Sequence, residues 1–77
     1  MDYKVNVFRD GTTEWSLHGK LHREDGPAYI SSLGYVEWYL NGVKLTELEH
    51  FKQSPYYQSL PAEEQIYILL SISDQRI

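Results

Sequence analysis

Seventy-seven residues with 11 acidic and 7 basic side chains, a net charge of −4 and no cysteine describe one small acidic domain. That charge argues against a protein that grips nucleic acid by general electrostatics, and the missing thiols exclude disulfides and thiolate metal sites. No apolar run approaches the roughly 18–20 residues a membrane-crossing helix needs, and the charged, alternating start does not read as a signal peptide.

In chain order, "KVNVF" places Val5 and Val7 on one side of a strand, and Asp10-Gly11 supplies a turn. "TEWSL" puts Thr13, Trp15 and Leu17 on one face and Glu14 and Ser16 on the other, as strand alternation requires. His18-Gly19 follows as a second turn, and then the polar stretch "LHREDGPA". Beyond it, "AYI" returns to alternation with Ala28 and Ile30. "YVEWYL" sets Val36, Trp38 and Leu40 against Tyr35, Glu37 and Tyr39. Asn41-Gly42 is a strong hairpin signal, because both turn residues must accept positive φ.

These segments repeat at an offset of 23 residues: Val5 aligns with Ala28, Gly11 with Gly34, Trp15 with Trp38 and Gly19 with Gly42. Within "LHREDGPA", Asp25 can close an Asx-type turn, Gly26 can take positive φ, and Pro27 fixes φ where the next strand begins. His22 and Arg23 can reach back across the hairpin, with Arg23 pairing with Glu14 or stacking on Trp15 or Trp38. His22, Arg23, Asp25, Gly26 and Pro27 are accordingly read as a structural turn.

Composition shifts near Leu45. Thr46 with Glu49 three residues on forms a capping box, and Leu48 and Phe51 share a helical face. Pro61 with Glu63 and Glu64 suits a helix start, so "IYILLSI" is read as helix although its apolar run is also compatible with a buried strand. The expected fold is α+β, a single domain over 1–77. Its sheet, over 1–45, is an antiparallel β-meander of about four to five strands built from two hairpin repeats of about 23 residues; one or two helices over 46–77 cap it. Tyr3, Val5, Val7, Ile30, Val36 and the two Trp residues form the apolar face, which the helices cover with Leu48, Phe51, Ile66, Leu69 and Leu70.

The residues "EWSLHGKLHREDGPAYI" followed by "EWYLNG" resemble a MORN-like short β-hairpin repeat found in bacteriophage and large-virus proteins, of the pattern W-Y-x-N-G-K-x-H-R-x-D-G-P-A. The resemblance covers about residues 3–45. After Asn41-Gly42 this chain reads "VKLTELEHF" instead of a further repeat, which looks like a terminal cap. Such repeats imply scaffolds and binding surfaces, not a shared reaction.

Catalytic constellations do not emerge. His18 and His22 lie four apart, but Gly19 denies them a common helix for zinc; there is no G-x-S-x-G elbow and no phosphate loop; Glu24-Asp25 and Glu63-Glu64 sit where turns and helix starts favour acids. The expectation is a non-enzyme without metal or cofactor. A second sheet face bearing Phe8, Glu14, Tyr29, Tyr35, Glu37 and Tyr39 suits protein recognition, or is an ordinary wet face whose tyrosines pair across strands. Tyr67, Ile68 and Ile72, on a helix apolar around most of its circumference, are candidates for self-association as a homodimer. What the resemblance implies is a phage protein in the cytoplasm of an infected bacterium that occupies a host defence effector, of CRISPR or restriction type. A nucleic-acid-binding regulator using the tyrosine face and a structural or virion accessory protein remain the alternatives.

Overall fold

The computed structural model describes residues 3–74. Two strands, β1 (Tyr3–Val7) and β2 (Thr13–Leu17), pair antiparallel with Val5 opposite Trp15. The chain turns at His18-Gly19 into the two-residue β3 (Lys20–Leu21), which lies beside the end of β2. After residues 22–28, β4 (Tyr29–Ile30) pairs with the start of β2, Thr13 opposite Ile30. β5 (Val36–Leu40) joins β4, and β6 (Val43–Leu45) folds back on β5 with Trp38 opposite Leu45. The sheet order is β1-β2-β4-β5-β6, with β3 off the path beside β2.

Six strands exceed the four to five that alternation predicts. The excess is β3 and β6, return strands of two and three residues, too short to show a period. The repeat itself is written into the backbone. His18 and Asn41 both sit at φ 52°, followed by Gly19 at 78° and Gly42 at 81°, the paired positive φ values of a type I′ turn. The wider turns match as well. Phe8 N–H donates to the Thr12 carbonyl at 2.8 Å and Gly11 N–H to that of Phe8 at 3.0 Å; 23 residues on, Ser31 donates to Tyr35 at 2.8 Å and Gly34 to Ser31 at 3.0 Å.

Thr46 caps α1 (Glu47–Gln53) through the full capping box, its hydroxyl accepting from Glu49 N–H at 3.1 Å while the Glu49 carboxylate accepts from Thr46 N–H at 2.9 Å. Ser54-Pro55 ends it, because proline cannot supply the next helical donor. The same Pro55 starts the one-turn α2 (Pro55–Gln58), and α3 (Ala62–Asp74) follows Pro61. Three helices thus replace the expected one or two.

The cover also differs from expectation. α1 lies against β5 and β6 on the Trp38 side, where the His50 and Trp38 ring centroids are 5.1 Å apart, and α3 packs on α1. Phe51 and Ile72 join Ala28 and Leu40 in the buried core. Ile66, Leu69 and Leu70 do not cover the sheet; they are exposed, because α1 occupies the place against β5 and β6 and leaves α3 as an outer layer. No helix among the described residues is long and apolar enough to cross a membrane.

Candidate functional site

Residues 22–28 are the hub on which sheet and helices meet. His22 is buried beneath Tyr3, its ring stacked at 5.9 Å; its Nδ1 accepts Asn41 N–H at 2.9 Å, so the proton sits on Nε2, 3.3 Å from Glu24. The Arg23 guanidinium lies 4.0 Å over the Trp15 ring, and its Nε donates to Asp25 at 2.9 Å and its Nη1 to the Pro27 carbonyl at 3.3 Å. From the helices, His50 Nε2 donates to the Arg23 carbonyl and Ser54 Oγ to the Glu24 carbonyl at 2.6 Å. The backbone carbonyls of this loop thus anchor the helical segment to the sheet.

Two details of this loop correct the sequence reading. Asp25 closes no turn on the backbone; it accepts from Arg23 instead. Gly26 is not among the glycines with positive φ. A Cβ there would stand 2.8 Å from Arg23 Cζ, so a larger residue must shift the guanidinium that lies over Trp15. Stacking of Arg23 on Trp15 is the one of its three expected partnerships that forms.

On the polar sheet face, Glu14, Tyr29 and Glu37 stand in one cross-strand row. Tyr39 O–H donates to Glu37 at 2.9 Å and Lys44 Nζ to the other oxygen at 3.2 Å. The Tyr39 hydroxyl, and then Lys44, hold the Glu37 carboxyl below its usual range, and the same carboxylate raises Tyr39. The polar groups of Glu37, Tyr39 and Lys44 are thus bonded to one another, and Tyr29 and Tyr39 are half-buried. Phe8 and Tyr35 stand at one end of the same sheet, in the two wide turns, where the bonds Phe8 to Thr12 and Ser31 to Tyr35 continue the strand register and give both residues the polar-face parity. Tyr67 is exposed and Ile68 partly so, whereas Ile72 is only 5% exposed and belongs to the core, not to a free self-association surface.

That turn end is where the apolar face lies open. Register sets Val7, Thr13, Ile30 and Val36 in one row across β1, β2, β4 and β5. Val7 is 71% exposed and Val36 46%, with Val5 beside them at 44%. At the tip of the adjoining turn, Leu33 is 83% exposed. Sequence reasoning missed Val7 and Val36 as surface by assigning them to a helix-covered face. The available signal was length: a seven-residue α1 spans only about 10 Å, two strands' width.

An open hollow of about 470 Å³ lies between the hairpin turns and the helices, lined by Leu17, His22, Glu24, Leu40, Val43 and Pro55 among others. It places the engaged His22–Glu24 pair beside apolar walls and brings no nucleophile to them. His18 is exposed in its turn, apart from buried His22, and among the described residues no three His, Cys, Asp or Glu side chains gather to hold a metal. Comparison with family models, curated proteins and solved structures finds no match to this chain.

Proposed function

We propose that the protein is a non-enzymatic binding module that docks another protein on the open turn end of its apolar sheet face. The observation that supports this reading is the row Val7–Thr13–Ile30–Val36, which no helix covers and whose outer members Val7 and Val36 are exposed. A contiguous apolar patch on a small domain marks an interaction surface, and each fully buried aliphatic side chain contributes roughly 1.5–3 kcal/mol. Val7 and Val36, the most exposed members of the row, are its anchors. The opposite face is a poor nucleic-acid platform, since Glu14 and Glu37 flank Tyr29 in the same row and repel phosphate. From the resemblance comes the target class: a host defence effector in an infected bacterium.

Immobilised wild-type protein should retain one stoichiometric host protein from bacterial lysate. Val36→Asp and Leu33→Ala should each lose it while melting like the wild type. Equal capture by both variants contradicts this reading.

A further inference from the structure

β1 is an outer strand of the sheet, and its hydrogen-bonding parity is fixed. Phe8 N–H donates inward to Thr12, so strand alternation makes Asn6 and Lys4, opposite Glu14 and Ser16, the residues bonded to β2. Trp15 N–H agrees, pointing away from β1 to the Ala28 carbonyl at 2.8 Å. The N–H and C=O groups of Tyr3, Val5 and Val7 therefore face outward, and among the described residues no strand receives them. Such an edge is ordinarily blunted by proline, a bulge or several charges. Here the five residues YKVNV carry one lysine. The opposite edge, β6, has three residues and runs straight into the α1 cap.

We propose that this edge is a homodimer interface, in which β1 pairs antiparallel with β1 of a second copy about a two-fold axis through Val5. The strand is self-complementary in that register. Its outward residues are symmetric about Val5, so every outward donor meets an outward acceptor: Val5 faces its own counterpart and Tyr3 faces Val7. All these side chains share the apolar face, as antiparallel partners must. On the polar face Lys4 meets Asn6. Sliding the strands by one pairing step toward the N-terminus instead sets Lys4 against Lys4 and loses hydrogen bonds, a like-charge contact that disfavours it. A foreign strand has no such built-in register, which is why a second copy is the occupant. The two-fold axis places the two open turn ends at opposite corners of a continuous sheet, so the dimer carries two copies of the binding surface.

Light scattering across concentration should show the mass rising from 9.1 kDa toward twice that value. Val5→Pro removes only an outward N–H, which an edge strand tolerates, and deletes two hydrogen bonds across the axis. It should weaken dimerisation about tenfold or more, with an unchanged thermal transition at dilutions where both proteins are monomeric. A synthetic chain with N-methylated Val5 repeats the test with the side chain intact. For the register, Asn6→Lys should weaken the dimer by facing Lys4, and the double variant Lys4→Glu/Asn6→Lys should restore it. A wild type that stays at 9.1 kDa to millimolar concentration overturns the proposal. So does a dimer indifferent to Val5→Pro and N-methylation but dissolved by Tyr67→Glu, which would place contact on α3. Neither result touches the binding reading, whose variants lie on β5 and its turn.

Discussion

The two hairpin units share their turns and differ in what lies on them. In the second unit, Trp38 lies under His50 of α1 and Leu40 is buried. In the first, Trp15 is covered by Arg23 and the edge of Tyr3 at 6.4 Å, while Val5 and Val7 face solvent. A repeated local code therefore builds two hairpin units with matching turns, although β1 pairs with β2 over five positions and β4 with β5 over two, and long-range packing buries the Trp38–Leu40 end of the second while leaving Val5 and Val7 of the first exposed. The seven-residue loop between them carries that asymmetry, because its carbonyls anchor the helices toward β5 and β6.

The largest break in the comparison is Phe51→Ala, which removes a buried side chain of α1 and should cost about 3–5 kcal/mol, much of a small domain's stability. Val7→Ala in the exposed unit should stay within about 0.5 kcal/mol. Denaturant titration of both measures the contrast. Next comes Gly26→Ala, whose Cβ displaces the Arg23 guanidinium from Trp15; about 1–3 kcal/mol is expected. Arg23→Ala should absorb part of that loss, so the double variant will be less than additive.

A third contrast is titratable. His50 is fully buried, and its Nδ1 has no hydrogen-bond partner. Burial lowers its pKa, outweighing the hydrogen bond to the Arg23 carbonyl; nearby His22 adds to the lowering and Asp25 opposes it. A depressed folded-state value means the neutral ring stabilises the fold above the unfolded pKa of about 6.5, and this stability drains as pH falls below it toward the folded value. The melting temperature should drop between pH 7 and 5.5 in the wild type and stay flatter in His50→Gln. Glu37 and Glu49, both held low, lose their contribution only in the more acidic carboxylate range. Smaller again is Thr46→Ala, which breaks the capping box and should cost about 1 kcal/mol. Smallest is His18→Asn, which copies the second unit's turn residue into the first at the same φ and should gain a few tenths of a kcal/mol.

Much of this is legible in the sequence. The offset that aligns Trp15 with Trp38 returns as matched φ values at His18 and Asn41, because hairpin turns are decided by neighbours in sequence. Thr46 and Glu49 were readable for the same reason. Gly26 was not. Its role depends on where a guanidinium three residues away is held by Trp15, and pairwise contact of that kind leaves no periodic trace. Val7 and Val36 were misjudged because alternation reports which face a residue takes, not whether a helix reaches it.

The openness of the β1 side is tested most directly by amide hydrogen exchange at micromolar concentration. Asn6 amides should be protected and those of Val5 and Val7 should exchange like unstructured chain, against slow exchange in the second unit at Leu40. Equal protection of Val5 and Leu40 under those dilute conditions would contradict the claim, since it would mean that a single chain already covers its own edge.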